Sequence, residues 1–385
     1  MTVSKVQKKS VITKSGFKAL GNPKAIGNAV IFLFLDHRFE FQYRPRMEQE
    51  RIPVTIITGF LGAGKTSLLN KLIGKYPEKK FAVIENEFGE TGIDGGLIAA
   101  ASDAIFELSN GCICCSLGED FLQTLEKLLG SSYEFNHLLI ETTGIADPSA
   151  IVDAFISGNS IQQKFRIDSV VCVADAANME DLINDQPEIR KQLALADLVL
   201  INKTDCVHPN YLTELSSVIL EINPMARLYS TTFGRTENFE VLDTFSFSGE
   251  AIGKSAMSFC KTDWKGHSSS EPKSFIHKPA KTGSKHQHDI SSVGFTFKGS
   301  FDVNKFGLWM QNYLYFNQDT VFRVKGIMSF ANTEDQFVFH AVRSSFMFEV
   351  GKPWGKEERF SKLVFIGKSL SGKELEASLL QLLAS

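Results

Sequence analysis

The run Gly59-Phe60-Leu61-Gly62-Ala63-Gly64-Lys65-Thr66 constrains the fold of this 385-residue chain more than any other stretch. Its Gly-x-x-x-x-Gly-Lys-Thr spacing is that of a phosphate loop, which works only between a strand and a helix. Both flanks are present. Ile52 to Thr58 reads as a buried strand entering the loop, and Ser67 to Ile73 reads as a helix leaving it. The glycines let the backbone curl so that its N–H groups, with the helix N-terminus, face phosphate oxygens. Gly59, Gly62, Ala63, Gly64, Lys65, Thr66 and Ser67 are the expected cradle. Lys65 would reach the β and γ phosphates, and Thr66 would offer its hydroxyl to Mg²⁺.

Beyond the loop, short apolar runs alternate with helical stretches, the rhythm of a doubly wound, mostly parallel α/β sheet covered on both faces. Strands are expected at Phe81 to Ile84, Ala104 to Glu107, Leu138 to Glu141, Ser169 to Ala174, Leu198 to Ile201 and Arg227 to Ser230. Helices are expected at Glu119 to Leu129, Ala150 to Phe155, Glu188 to Ala194 and Tyr211 to Glu221. This P-loop domain occupies residues 51–245. From 246 to 290 serine, lysine, glycine and histidine replace the apolar periodicity, as in a polar linker. A smaller α+β domain follows at 291–385. Its strands are expected at Val293 to Phe297, Val321 to Ile327, Gln336 to Val342, Ser345 to Val350 and Leu363 to Ile366, with helices at Asn304 to Tyr313 and Lys373 to Leu383.

Composition narrows the class. With 43% apolar and 22% charged residues the chain is globular, and a net charge of −3 gives no basic field to attract nucleic acid or an anionic membrane. Three of six cysteines crowd at 112, 114 and 115, which argues for reduced, metal-competent thiols in the cytoplasm rather than disulfides. Residues 1–50 are expected to be a disordered extension or a misassigned start, with Met47 just ahead of the first core strand. The apolar run Ala29 to Leu35 falls short of the roughly 20 residues that cross a bilayer.

Three further motifs carry chemistry. Asn202-Lys203-Thr204-Asp205 follows the strand Asp197 to Ile201, at the sheet edge where α/β folds bind ligands. Asp205 can accept both donors of guanine, and Lys203 can lie along the base, so GTP is preferred to ATP. Glu141-Thr142-Thr143-Gly144 closes another strand and supplies a carboxylate near Mg²⁺ and the γ phosphate, making Lys65, Thr66 and Glu141 the catalytic set. Gly144 lets the backbone approach that phosphate and move when it leaves. No glutamine follows to orient water, so slow hydrolysis aided by a partner or a homodimer is expected.

Cys112-Ile113-Cys114-Cys115 places three thiols in a loop flanked by glycines, a donor set for Zn²⁺ and other borderline or soft ions. Glu85-Asn86-Glu87-Phe88-Gly89-Glu90 follows the second strand and could form a switch serving Mg²⁺ and a transported metal; a solvated acidic loop is the plain alternative. Cys172, Cys206 and Cys260 read as inert. The linker carries His267, His277, His286 and His288; the close pair His286 and His288 could recruit metal weakly, or the linker could simply be solvated. His340, inside an apolar strand pattern, reads as a packed histidine rather than a ligand, with delivery to the metal by domain closure as the alternative.

Together these residues resemble the CobW-type GTPases, metal-handling P-loop proteins related to the urease and hydrogenase maturation GTPases. Gly59 to Thr66, Glu85 to Glu90, Gly111 to Cys115, Glu141 to Gly144 with Asp147-Pro148, and Asn202 to Asp205 carry the likeness. In the C-terminal part Arg323 to Ile327, the His340 strand, Trp354 and Leu363 to Gly367 add to it. The resemblance implies that Glu85, Glu90 and Cys114 bind the transported metal, that Cys112 and Cys115 replace them in another nucleotide state, and that Glu87 serves the Mg²⁺ side. It implies a GTP-hydrolysing metallochaperone carrying Zn²⁺, or Co²⁺, to a client metalloprotein. A regulatory GTPase with a structural zinc site, an ATP-dependent small-molecule kinase and a cobalt-handling protein serving cobalamin synthesis are the rivals.

Overall fold

The computed structural model describes residues 29–35, 38–44, 51–85, 105–107, 119–157, 159–247 and 289–384. Strands β1 (Ala29–Leu35) and β2 (Arg38–Arg44) pair as an antiparallel hairpin within the N-terminal stretch. The N-terminal domain then runs β3 (Ile52–Thr58), α1 (Lys65–Lys75), β4 (Phe81–Glu85), β5 (Ile105–Glu107), α2 (Glu119–Gly130), β6 (His137–Glu141), α3 (Ser149–Ser157) and α4 (Asn159–Lys164). It continues through β7 (Phe165–Asp175), α5 (Met179–Asp185), α6 (Pro187–Leu195), β8 (Leu198–Asn202), α7 (Pro209–Ile222) and β9 (Arg227–Ser230). The C-terminal domain comprises β10 (Ile290–Lys298), α8 (Val303–Asn317), β11 (Val321–Met328), β12 (Asp335–Val342), β13 (Ser345–Pro353), β14 (Phe360–Lys368) and α9 (Gly372–Leu380).

The first sheet has seven strands in the order β5-β4-β6-β3-β7-β8-β9, and every neighbouring pair is parallel. A parallel sheet is covered on both faces, so its strands are apolar at successive positions rather than at alternate ones. The register of side chains shows this division. Val54, Ile56, Ala82, Ile84, Leu138 and Ile140 pack toward α2 and α3, while Ile57, Val83, Leu139, Val171 and Val173 pack toward Leu68, Leu69 and Leu72 of α1. The second sheet is antiparallel, ordered β10-β14-β11-β12-β13. One face carries a phenylalanine-rich core under α8 and α9, in which Phe306 packs edge-to-face on Phe301, Phe330 and Phe339.

The other face joins the domains. Ile290, Phe322, Ile327, Val338, Trp354, Val364 and Ile366 share a continuous core with Ile189 and Leu193 of α6. Within it, Asp197 is fully buried, and its Oδ1 accepts from Arg323 Nη2 at 2.7 Å and from Lys325 Nζ. Its Oδ2 accepts from the Val170 backbone N–H at 2.8 Å. Burial works against the charge of Asp197, but Arg323 and Lys325 outweigh it and hold the carboxyl below its ordinary range. Burial, with Arg323 alongside, pushes the Lys325 ammonium down to about 8. Among the described residues no helix is long and apolar enough to cross a membrane.

His340 lies beside this cluster as a packed residue, its Nε2 3.1 Å from the Phe247 carbonyl and its ring stacked on Phe247 at 4.2 Å. Burial, then the Lys325 and Arg323 charges, keep the imidazole neutral well below pH 6.5. Its proton is therefore taken up only on unfolding. The contribution of His340 is fully present above pH 6.5 and declines as pH falls, by up to about 1.4 kcal/mol per pH unit. Urea denaturation of wild type and His340→Gln between pH 6.5 and 5 should show the wild type losing more stability per pH unit. Parallel profiles would contradict the assignment.

Candidate functional site: a nucleotide cradle at the sheet's carboxyl edge

The loop after β3 turns on three glycines with positive φ: Gly59 at 137°, Gly62 at 72° and Gly64 at 103°. At Gly59 the constraint is also one of space, because a Cβ there would lie 2.2 Å from the Val173 carbonyl oxygen on β7. The loop then feeds α1, which begins at Lys65. Ala63, within the loop, is fully buried, and Ser67 is exposed in the first helical turn. Lys65 folds back so that its Nζ donates to the Phe60 carbonyl at 3.2 Å. Burial lowers its pKa, and the Glu141 carboxylate opposes that shift.

Thr66 Oγ1 donates to Glu141 Oε1 at 2.9 Å, joining the phosphate loop to the end of β6. The two oxygen donors are a hard set, suited to Mg²⁺, and so fit the ion that a nucleoside triphosphate brings. Beyond Glu141, Thr142 Oγ1 donates to Thr58 Oγ1 at 3.0 Å. Gly144 then passes so close to the loop that a Cβ would lie 2.4 Å from the Leu61 backbone nitrogen. Gln192 of α6 fixes this segment, its Nε2 donating to the carbonyls of Gly144 at 3.1 Å and Ala146 at 3.0 Å. Lys191 reaches Asp147 Oδ2 at 3.1 Å. Sequence reasoning missed Gln192; its one signal is a polar residue three positions from Ile189 on the buried face of α6.

Asn202 ends β8 as a brace. Its Nδ2 donates to the Ala63 carbonyl at 2.9 Å, and its Oδ1 accepts from the Gly234 N–H at 3.1 Å. Lys203 has a left-handed backbone, φ 60°, and its Nζ meets Asp175 Oδ2 at 2.8 Å. Asp205 is exposed in the short 3₁₀ turn Thr204–Cys206, and its Oδ2 accepts from Cys206 Sγ at 3.8 Å. Thr204 Oγ1 anchors that turn to the Thr231 carbonyl at 3.1 Å and to Thr232 Oγ1 at 3.0 Å.

Glu85 closes β4 and is 7% exposed. The β4–β6 register sets it directly against Glu141, and the β4–β5 register sets it against Glu107. Glu87, Glu90, Cys112, Cys114 and Cys115 lie outside the described residues, as do Cys260 and the four linker histidines. Among the described residues no group of three His, Cys, Asp or Glu side chains could hold a metal ion. Cys172 lies on buried β7, and burial pushes its thiol up to about 12, so it stays protonated at neutral pH. Cys206 is exposed.

A wholly parallel sheet, a phosphate loop leading into a helix, a carboxylate facing its threonine and an Asn-Lys-Thr-Asp turn at the end of β8 together make a P-loop GTPase fold. Residues 53–230 match the CobW/HypB/UreG nucleotide-binding domain, and residues 290–383 match the cobalamin synthesis protein cobW C-terminal domain. The chain is 32% identical over 331 residues to the zinc chaperone YjiA of Escherichia coli, covering 85% of this chain and 97% of that protein. It therefore belongs to the CobW/HypB/UreG family. The zinc-regulated GTPase metalloprotein activator 1 of Schizosaccharomyces pombe is 34% identical over 227 residues, covering 57% of this chain and 53% of that one. The crystal structure of Zn(II)-bound YjiA GTPase from E. coli superposes with a TM-score of 0.60 at 26% identity, covering 87% of this chain and all of that one.

Asn202→Ala would strip partners from the Ala63 carbonyl and the Gly234 N–H, a loss of about 1–3 kcal/mol for a buried polar group. GTP affinity, measured by titration with a fluorescent analogue, should fall about tenfold or more. Unaltered affinity would show that the brace does not shape the cradle.

Proposed function

We propose that this protein is a GTP-hydrolysing metallochaperone that carries Zn²⁺, with Co²⁺ as the alternative cargo, to a client metalloprotein. The observation that carries the reading is the β4–β6 register, which stands Glu85 against Glu141. Glu141 meets the phosphate-loop threonine, and Glu85 begins the segment expected to hold the cargo metal with Glu90 and Cys112, Cys114 and Cys115. One pair of neighbouring strands thus links the nucleotide side to the metal side. The zinc chaperone YjiA, matched along almost its whole length, supports the same reading.

In this account Gly59 to Ser67 bind the phosphates through backbone N–H groups and the start of α1, and Lys65 neutralises the β and γ oxygens. Mg²⁺, when bound beside Thr66, Glu141 and Glu87, supplies charge neutralisation for the phosphoryl oxygens. Asp205 accepts the two guanine donors, and Lys203 packs along the base. Gly144 approaches the terminal phosphate. Its tight passage against Leu61 makes any displacement of one strand end felt by the other. Removal of the phosphate relaxes Glu141, and through it Glu85, loosening the grip on the cargo.

Cargo binding and nucleotide binding should then be separable by mutation. Cys114→Ala is expected to lower zinc affinity, read by competition with a chromophoric chelator, by at least about tenfold, since losing even an outer-shell partner of a metal ligand costs about 10- to 100-fold. Its metal-free GTP affinity should stay within about twofold of wild type. Zinc affinity unaffected by Cys114→Ala would remove the thiol cluster from the cargo site. One zinc that never exchanges with the chelator would favour a structural staple instead.

A further inference from the structure

Lys203 has a left-handed backbone, which is unusual for a non-glycine residue. Beside it stands Asp175, the last residue of β7, set by the β7–β8 register directly against Asn202. Lys203 Nζ donates to Asp175 Oδ2 at 2.8 Å. Asp175 is itself fixed: its Oδ2 also accepts from Asn178 Nδ2 at 2.8 Å, and its Oδ1 accepts from the Ala177 N–H at 3.0 Å. Its side chain is 4% exposed, whereas that of Lys203 is 37% exposed. The Ala176 N–H donates to the Asn202 carbonyl at 2.9 Å, so the two strand ends cannot drift apart independently. Burial opposes the charge of Asp175, yet the bonds from Lys203, Asn178 and Ala177 keep its pKa below the ordinary value.

A lysine stem is apolar along its length and flexible, and ordering it on a ligand costs rotamer freedom. An ammonium tethered in advance removes most of that cost, which is how preorganisation raises affinity without a new contact. We propose that Asp175 is a positioning residue for the base site: by gripping the Lys203 ammonium it holds the aliphatic stem as a ready shelf for guanine, without touching the nucleotide. This rests on Asn202 to Asp205 being the guanine-reading segment. The competing role for Asp175 is purely local, because its Oδ1 bond to Ala177 also shapes the turn into α5.

The two roles separate in a double-mutant cycle on the full chain. Asp175→Asn keeps an acceptor for Ala177 and loses the charge; Lys203→Met keeps an apolar stem and loses the ammonium. Asp175→Asn should weaken GTP binding about tenfold in wild type, with the loss falling on KM rather than kcat. In the Lys203→Met background the same change should alter GTP affinity less than twofold. An undiminished tenfold loss in that background, or none in wild type, overturns the proposal. Asp205→Asn tests the underlying reading separately, because an asparagine amide can donate to the extra carbonyl of xanthine. It should shift preference from GTP toward XTP. If preference for guanine persists, the assignment of the segment falls, and the shelf with it, whatever the cycle shows.

Discussion

Glu85 and Glu141 end adjacent parallel strands in register, and the proposed coupling of metal to nucleotide depends on that pair. Neighbouring strands lie about 4.8 Å apart, and side chains at paired positions leave the sheet on the same face. Like charges so placed repel, so a cation near either carboxylate favours both. Thr66 reaches Glu141 from the phosphate loop, and Gly144 runs on from it against Leu61. A change at the phosphates therefore has a short covalent and hydrogen-bonded route to Glu85.

A second constraint fixes the other end of the sheet. Asp197 stands just before β8, and Asn202 closes it, so a strand of about 17 Å separates the inter-domain ion cluster from the Asn202 to Asp205 segment. Replacing a buried ion cluster with apolar groups is often neutral, whereas removing one partner commonly costs about 3–5 kcal/mol. Here Arg323 and Lys325 of the second sheet converge on Asp197 of the first domain, and Phe247, packed under both cations and against His340, ties in the chain that leaves the first domain. The C-terminal domain is thereby held to the strand that presents Asn202, rather than to a surface loop.

The central strands were legible because burial on both faces makes them continuous apolar runs, and the phosphate loop because its glycines meet demands that other residues cannot. Phe165–Asp175 is longer than the run Ser169 to Ala174, since Arg166 and Asp168 interrupt the apolar pattern. Asp168 is nevertheless buried, accepting from the backbone N–H groups of Thr244 and Phe245. Helices Asn159–Lys164 and Met179–Asp185 were missed because one or two turns are too short to display a period. The motif Asn202 to Asp205 stands out in the sequence at a strand end, but the bracing role of Asn202 does not, because its partners Ala63 and Gly234 are distant in sequence. The same holds for Asp197 with Arg323, and for Gln192 with Gly144. Such pairings depend on which strand ends the fold brings together, and no local pattern announces them.

If the strand pair joins the two sites, metal and nucleotide must bind with a shared coupling free energy, and each must alter the other's affinity by the same factor. The direct measurement is zinc affinity by chelator competition, with GDP and with a non-hydrolysable GTP analogue in otherwise identical solutions. The account predicts affinities that differ by about 5-fold to 150-fold, the ordinary range of such coupling. Equal zinc affinity in the two nucleotide states would contradict it.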